Sequence, residues 1–314
     1  MSPERVLTEI DGRELWLSNL DKVMYPDTGF TKSQVLDYYA RIAGVMVAHL
    51  ARRPTTFRRY PNGVEGMSFY EKHAPEHQPE WIKTIEVPSK SGEHEPIVYT
   101  AVGDRPTLLW AANLAAIEFH VPLWHVAKGK AIPAPPDYMV FDLDPGPGTT
   151  IVECCRVAQW VAERIDRESL FAKTSGSKGL QLYTRVRRTT WDQLSERAHE
   201  IAKSIEREHR AEVVSVMKKT LRNGKVLIDW SQNNSSKTTV AAYSLRARPE
   251  PTVSTPVSWQ EVDKCAKNAN PDTLRFEAKD VLKRIEKVGD LMGPLIAATS
   301  RSKVNTSRTF ERSP

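Results

Sequence analysis

One stretch decides the fold prediction, Tyr138-Met139-Val140-Phe141-Asp142-Leu143-Asp144-Pro145-Gly146-Pro147-Gly148. Its β-branched and aromatic residues favour a buried strand, and the Pro/Gly cluster ends that strand. Because strand side chains alternate between faces, Asp142 and Asp144 should project from the same face. Neighbouring carboxylates are costly unless a cation neutralises them, and their oxygens are hard ligands. The stretch therefore predicts a magnesium or manganese site, with two loop-capping aspartates as the alternative.

A third aspartate ends another apolar strand. Asp229 follows Val226-Leu227-Ile228 and precedes Trp230-Ser231-Gln232. Three strand-end carboxylates could hold two Mn²⁺ or Mg²⁺ ions about 4 Å apart, an arrangement that serves in-line phosphoryl or nucleotidyl transfer. Taken alone, Asp229 could equally begin an Asx turn.

Three further motifs carry groups that suit a phosphate ligand. The turn Thr174-Ser175-Gly176-Ser177-Lys178-Gly179 offers hydroxyls, backbone N–H groups and one lysine, although it lacks the Walker spacing and could be a plain hairpin loop. His120 lies on the alternating run 117–121, where a structural histidine is the alternative. Arg246 and Arg248 have the period of a strand face, which can grip phosphates or simply face solvent.

Composition describes a soluble globular chain with a preference for anionic partners. The 314 residues are 40% hydrophobic and 27% charged, with a formal net charge of +6. No apolar stretch is long enough to span a membrane, and the N-terminus lacks the form of a signal peptide. The three cysteines form no C-x-x-C pair, which favours a reducing, cytoplasmic location.

Periodicity and turn signals predict an α+β protein. Helices are expected from Thr31 and Thr190, each opened by a capping box, and over 108–116, 149–165 and 272–288. Strands are expected at 13–17, 117–121, 213–216 and 225–228, within 54–102, and on both sides of the turn in 171–184. We expect a single domain over 1–298, divided into an N-terminal part (1–105) and a core (106–298). The polar residues 299–314 predict a disordered tail.

The N-terminal part combines basic and aromatic side chains, which suits nucleic acid but also occurs on solvated surfaces. Its members are Lys22, Lys32, Arg52, Arg53, Arg58, Arg59, Phe69 and Tyr70.

In their order along the chain, the four motifs around Asp142, Lys178, Asp229 and Arg246 resemble those of the bacterial end-joining primase-polymerases. That family belongs to the archaeo-eukaryotic primase superfamily and occurs as the polymerase module of DNA ligase D and as stand-alone relatives associated with ligase C. The resemblance extends over about residues 13 to 290. It implies a primase-like core of antiparallel sheets flanked by helices.

The resemblance also implies a role for each matching residue. Asp142, Asp144 and Asp229 would be the catalytic metal ligands, and Ser175 would lie near the sugar 2′-hydroxyl. Residues expected to hold the nucleotide phosphates are His120, Lys178, Arg246 and Arg248. Phe69 or Tyr70 would stack on a base. Lys22 and Lys32 would bind a 5′-phosphate, and Arg58, Arg59 and Gln232 would make other DNA contacts.

The function implied is a DNA repair polymerase that adds ribonucleotides, its preferred substrates, or deoxyribonucleotides at short gaps and double-strand breaks with a 5′-phosphate. Expected partners are gapped or broken DNA, NTPs or dNTPs, an ATP-dependent ligase and Ku, in the cytoplasm at the nucleoid. Two features depart from the family pattern. Gln181 stands in place of a common histidine. The stretch 89–105 also differs, so that gap filling is expected in preference to end-bridging.

Two other hypotheses stay open at this point. One is a non-catalytic module that binds 5′-phosphates at gaps and assists a ligase. The other is a phosphatase of the haloacid dehalogenase class, which also carries a strand-Asp-x-Asp motif but continues with Gly-Thr, whereas Pro145-Gly146 follows here.

Overall fold

The computed structural model describes residues 5–88, 95–127 and 132–300. The strands are β1 Arg5–Ile10, β2 Arg13–Ser18, β3 Val23–Tyr25, β4 Phe30–Thr31, β5 Thr56–Arg59, β6 Phe69–Glu71, β7 Thr84–Val87, β8 Ile97–Thr100, β9 Ala116–Val121, β10 Tyr138–Pro145, β11 Leu170–Thr174, β12 Leu180–Arg185, β13 Val213–Val214, β14 Val226–Asp229, β15 Thr239–Val240 and β16 Pro256–Val257. The α-helices are α1 Lys32–Leu50, α2 Arg105–Asn113, α3 Ile151–Ala162, α4 Trp191–Glu208, α5 Trp259–Asn268, α6 Ala278–Val288 and α7 Gly293–Ser300.

Two sheets organise the molecule. The six-stranded sheet has the order β13-β14-β10-β12-β11-β16, and the four-stranded sheet has the order β15-β9-β5-β6. All of these neighbours pair antiparallel except β13 with β14, which are parallel. The expected α+β class, with antiparallel sheets flanked by helices, is confirmed.

The alternation of β10 assigns each face of the six-stranded sheet to a separate core. Met139, Phe141 and Leu143 are buried in a cluster built with α3, α4 and α5. Tyr138 and Val140 belong instead to a cluster shared with α1, α2 and the four-stranded sheet. By the same alternation, Asp142 and Asp144 lie on the face that looks towards the four-stranded sheet.

Most predicted helices form where their caps and apolar stripes place them. Thr31 and Thr190 both make complete capping boxes, with Gln34 and Gln193. The apolar stripe of α1 is buried along its length, at Val35, Tyr38, Tyr39, Ile42, Met46 and Leu50. None of the helices in the described part of the chain is long and apolar enough to cross a membrane.

The predicted helix over 272–288 is wrong at its start. A short 3-10 helix covers Pro271–Leu274, and α6 begins only after Glu277, which caps it together with Asp280. The short helix α5 was not predicted, although Ser258 and Glu261 form a capping box there. α7 reaches Ser300; the remainder of the predicted disordered tail lies outside the described residues, as do residues 89–94 of the stretch that departs from the family pattern.

Candidate active site

The three predicted carboxylates meet in the middle of the six-stranded sheet. Asp142 and Asp144 lie on β10, and Asp229 ends the neighbouring strand β14. Asp142 is the direct cross-strand partner of Asp229 and, on its other side, of Gln181 in β12. Gln181 is in turn paired with Lys173 of β11. A row of polar side chains therefore crosses four adjacent strands on one face of the sheet.

Burial and mutual repulsion disfavour negative charge on Asp142 and Asp144. The pKa of Asp142 is raised to about 7, first by burial and then by the charge of Asp144. Burial followed by the charge of Asp229 raises the pKa of Asp144. Oδ1 of Asp142 is buried and has no hydrogen-bond partner among the described residues. An orphaned carboxylate oxygen beside two further carboxylates fits a hard divalent cation.

The side chain of Asp229 is held by its own following turn. It is 7% exposed, and its Oδ1 accepts hydrogen bonds from N and Oγ of Ser231, over 2.9 and 2.6 Å. Gln232, expected to contact DNA, donates from Nε2 to Oδ2 of Asp229 over 2.7 Å. Within the described ranges, no three His, Cys, Asp or Glu side chains already form a metal-holding cluster. The residues fit a metal ion by position and chemistry, with Asp229 engaged by protein donors.

A cavity of about 390 Å³ separates the aspartates from the four-stranded sheet. It collects eight of the predicted site residues, namely His120, Asp142, Asp144, Ser175, Lys178, Gln232, Arg246 and Arg248. Its acidic side chains, Asp142 and Asp144, come from β10, and its cationic side chains, Lys178, Arg222, Arg246 and Arg248, come from the loops after β11, before β14 and after β15. A cavity lined by both carboxylates and cations suits a ligand that carries both phosphates and metal ions.

The turn between β11 and β12 depends on its glycines. Ser175 Oγ accepts hydrogen bonds from the backbone N–H groups of Ser177 and Gly179, over 3.2 and 3.0 Å. A Cβ on Gly179 would lie 2.4 Å from the Leu143 carbonyl oxygen, and one on Gly176 would lie 2.6 Å from Ser254 N. Gly179 therefore lets the turn lie directly against the strand that carries the aspartates, Gly176 lets it lie against the backbone at Ser254, and Lys178 lies at the cavity wall.

The predicted strand that carries Arg246 and Arg248 is not formed. The backbone turns at Tyr243, whose φ is 68°, and only Leu245 makes an isolated bridge, with Val253. Both arginines nevertheless line the cavity. Arg246 donates from Nη1 to the Ser175 carbonyl oxygen, which links the arginine loop to the phosphate turn.

The aromatic residues expected to stack on bases lie at the edge of the four-stranded sheet. Phe69 and Tyr70 of β6 are 42% and 57% exposed. The guanidinium of Arg59 lies 5.2 Å from the Phe69 ring centroid, and that of Arg58 lies 5.3 Å from the Tyr70 centroid. Tyr70 is also in edge contact with His120, at 5.8 Å between centroids. These aromatic rings and arginines thus form a surface that extends outward from the cavity wall at His120.

Lys22 and Lys32 lie together, away from the cavity. Lys22 Nζ donates to the Pro61 carbonyl oxygen over 2.6 Å, and Lys32 Nζ donates to the Ser18 carbonyl oxygen over 2.6 Å. Lys32 is 4% exposed, and burial, with a further contribution from the charge of Lys22, lowers its pKa to about 8. The ammonium groups of Lys22 and Lys32 thus lie close enough for their charges to interact.

Sequence reasoning missed two charged residues at the site. Arg222 lines the cavity from the loop before β14, and the backbone at Gly146 approaches it so closely that a Cβ there would lie 1.8 Å from its carbonyl oxygen. Glu118 is buried beside His120 on β9. The sequence contains a signal for each of them. Arg222 is a basic residue in the turn before an aspartate strand, and Glu118 is an acidic residue within a buried strand.

The fold and this set of side chains define a primase-polymerase domain. The chain belongs to the family of LigD primase-polymerase domains, whose model matches residues 31–292. It is 41% identical over 310 residues to the multifunctional non-homologous end joining protein LigD of Mycolicibacterium smegmatis, covering 95% of this chain and 39% of that protein. The corresponding DNA repair protein LigD of Mycobacterium tuberculosis is 42% identical over 293 residues, or 90% of this chain and 37% of that protein.

A solved structure supports the same assignment. The polymerase domain of Mycobacterium tuberculosis ligase D in complex with DNA superposes with a TM-score of 0.83 and 41% identity, covering 90% of this chain and 98% of that one. The chain spans about two fifths of the length of the two mycobacterial proteins. Both the family assignment and the fold implied by the resemblance are thereby confirmed.

Proposed function

We propose that the protein is a DNA repair primase-polymerase. It adds NTPs, with ribonucleotides preferred, or dNTPs to 3′ ends at short gaps and double-strand breaks that carry a 5′-phosphate. The observation that carries the proposal is the single cavity lined by Asp142 and Asp144 together with His120, Lys178, Arg246 and Arg248. Membership of the LigD family supports it over the phosphatase hypothesis.

The carboxylates supply the metal-binding side of the reaction. Two Mg²⁺ or Mn²⁺ ions on Asp142, Asp144 and Asp229 would lower the pKa of the attacking 3′-hydroxyl and balance charge on the leaving phosphate. The buried Oδ1 of Asp142, which has no hydrogen-bond partner among the described residues, would be satisfied by a cation. Ser231 and Gln232 hold Asp229 in place, so that its carboxylate stays next to Asp142.

The nucleotide wall of the cavity, formed by His120, Lys178, Arg246 and Arg248, binds the incoming nucleotide. Its lysine and two arginines supply cationic donors for the triphosphate, and His120 adds an imidazole ring. Ser175 lies at the start of the glycine turn, where its Oγ accepts hydrogen bonds from the backbone N–H groups of Ser177 and Gly179. We place Ser175 near the ribose 2′-hydroxyl.

The N-terminal part is proposed to bind DNA. Lys22 and Lys32 suit a terminal 5′-phosphate, which is a dianion that two ammonium groups can share. Arg58 and Arg59, each beside an exposed aromatic ring, suit the backbone and bases of an unpaired strand. The division at residue 105 between this part and the catalytic core belongs to the proposal.

The cellular setting follows from the relatives and is likewise proposed. The mycobacterial proteins are named for non-homologous end joining. We therefore assign an ATP-dependent ligase and Ku as partners and a cytoplasmic location at the nucleoid.

The test is extension of a gapped duplex that carries a 5′-phosphate, with Mn²⁺ and labelled NTPs. The wild type should extend the 3′ end, and Asp142→Ala/Asp144→Ala should not. Asp137→Asn removes a half-buried carboxylate, held by Arg53 and His125 outside the cavity, and serves as the control that should keep activity. Absence of extension by the wild type would contradict the proposal and favour a non-catalytic gap-binding module. Extension by the double variant would contradict the metal site.

A further inference from the structure

Glu118 is a buried charged residue next to the cavity that the proposed chemistry leaves unused. Its residue exposure is 1%, although it lies on β9 among apolar neighbours. Burying a carboxylate is costly unless it is paired and hydrogen-bonded. The groups that surround Glu118 therefore indicate why a charge is kept there.

Both oxygens of Glu118 contact groups of the nucleotide wall. Oε2 lies 2.9 Å from Nε2 of His120, and because a carboxylate only accepts, that nitrogen carries the donated hydrogen. Oε1 accepts from the Ala247 backbone N–H over 3.1 Å and lies 3.2 Å from Nε of Arg246, in an ion pair rather than an aligned hydrogen bond. One carboxylate thus contacts the His120 ring, the Arg246 guanidinium and the Ala247 backbone N–H.

The same carboxylate offsets repulsion among the cations. Arg58 is the cross-strand partner of Glu118, and its Nη1 lies 3.9 Å from Oε2. The pKa of Arg248 is lowered by burial and then by the charge of Arg246, while Glu118 acts in the opposite direction. For Glu118 itself, burial raises the pKa, but the hydrogen bond with His120 and the charge of Arg246 outweigh it and lower the pKa to about 2. The carboxylate is therefore ionised throughout the working pH range.

We propose that Glu118 is a positioning residue that holds His120 and Arg246 in the orientation that receives the triphosphate. It acts through them, with no contact to substrate. The inference rests on the proposed function, since it deepens the assignment of the same nucleotide site. The physical basis is preorganisation, because the cationic side chains of the nucleotide site are held together before the ligand binds.

Simple electrostatics and positioning predict opposite signs for the loss of this charge. A buried negative charge beside a triphosphate repels it, so removing the charge without any other change would tighten nucleotide binding. If Glu118 orients His120 and Arg246, the same substitution weakens binding because those donors lose their alignment. Glu118→Gln keeps the shape of the side chain and separates the two cases.

The experiment measures NTP KM and kcat on the gapped duplex for wild type, Glu118→Gln and Glu118→Asp. We expect Glu118→Gln to raise KM about 10-fold or more, as for loss of a charge-assisted contact, with kcat changed by less than about threefold. Glu118→Asp keeps the charge but shortens the reach, so its KM should lie between the other two. A KM for Glu118→Gln equal to or below that of wild type overturns the proposal.

Asp290→Asn is the matched control. Like Glu118, Asp290 accepts from a histidine, over 2.9 Å from Nε2 of His49, and pairs with a second group, the hydroxyl of Tyr243. It lies outside the cavity. The Asp290→Asn substitution should lower the unfolding temperature while leaving the NTP KM unchanged. If Glu118→Gln does not fold, Glu118→Asp decides, and a wild-type KM in that variant overturns the proposal.

A second measurement separates this proposal from the proposed function. Equilibrium dialysis of Mn²⁺-ATP measures nucleotide affinity without any extension reaction. If the wild type binds Mn²⁺-ATP but extends nothing, the polymerase proposal fails, and the ratio of affinities between wild type and Glu118→Gln still tests Glu118. Binding of Mn²⁺-ATP weakened about 10-fold or more supports positioning, and equal or tighter binding contradicts it.

Discussion

Gln232 donates a hydrogen bond from Nε2 to Oδ2 of Asp229 over 2.7 Å, whereas the resemblance to the end-joining primase-polymerases implied a DNA contact for this glutamine. Oδ1 of Asp229 already has two donors from Ser231, so Oδ2 is the oxygen with the greater accepting capacity left. Gln232 thereby fixes the orientation in which that oxygen is presented. Residues that orient a metal-binding carboxylate in this way commonly contribute strongly to metal affinity.

We therefore expect Gln232→Ala to raise the Mn²⁺ concentration for half-maximal extension by about 10-fold. Affinity for the gapped duplex without metal should change little. Titration of Mn²⁺ in the extension assay, beside a DNA-binding measurement in EDTA, distinguishes the two roles. An unchanged Mn²⁺ requirement with weakened DNA binding would return Gln232 to the DNA-contacting set.

Gly179→Ala tests the close approach between the phosphate turn and β10. The new Cβ would lie 2.4 Å from the Leu143 carbonyl oxygen and 3.5 Å from Oδ1 of Asp144, so the turn or the strand must move. We expect extension to fall by about 100-fold or more, since displacement of about 1 Å at a reacting centre has that effect. Gly44→Ala is the control, because its Cβ meets nothing within 4 Å and it lies inside α1.

That control should stabilise the fold by about 0.5–1 kcal/mol, the usual gain for alanine over glycine in a helix, with activity unchanged. Urea unfolding gives both free energies of unfolding. Full activity in Gly179→Ala would show that the turn and β10 move independently of the chemistry.

Local patterns were sufficient for much of the fold and the site. The alternation of Tyr138 to Asp144 sets which residues enter each core, and Thr31 and Thr190 start their helices because the capping partners lie three residues away. The glycine turn and the aspartates are likewise encoded by neighbours in sequence. These features could be predicted because local geometry determines them.

Features that depend on distant partners could not be predicted in this way. Glu118 has its role through Arg246, 128 positions further along the chain, and through the cross-strand Arg58. Arg246 and Arg248 have strand periodicity but lie in a loop, because the backbone reverses at Tyr243 and bonds to residues of the segment 252–254 instead. The contact of Gln232 with Asp229 is local instead, and arises because the chain forms a 3-10 turn immediately after β14.

Lys32 gives the 5′-phosphate site a dependence on pH. Its pKa is lowered to about 8 by burial and then by Lys22, so the ammonium loses its proton as the pH rises through that value. A terminal phosphate stays a dianion over the same range, because its second pKa is about 6. The preference for gaps with a 5′-phosphate over gaps without one should therefore decline between about pH 7 and 9.

Lys32→Arg is the informative variant, since arginine keeps its charge throughout this range. The preference of Lys32→Arg for gaps with a 5′-phosphate should stay constant across the pH series. Lys22→Ala should weaken binding to phosphorylated gaps more than to unphosphorylated ones. Fluorescence anisotropy with the paired duplexes measures both effects. A wild-type preference that is flat with pH would show that Lys32 stays charged or takes no part.

Phe69 and Tyr70 should have separable roles, because only one of them touches the nucleotide wall. The Tyr70 ring contacts His120 and has Arg58 over one face, whereas Phe69 pairs with Arg59, which is tied to Glu71 and to the Leu114 carbonyl oxygen. We expect Tyr70→Ala to raise the NTP KM and Phe69→Ala to weaken binding of the gapped duplex. Each change should be about 5- to 100-fold, the range for loss of one base–aromatic stack. Tyr70→Phe keeps the ring and is the control that should behave as wild type; a KM effect from Phe69→Ala alone would exchange the two assignments.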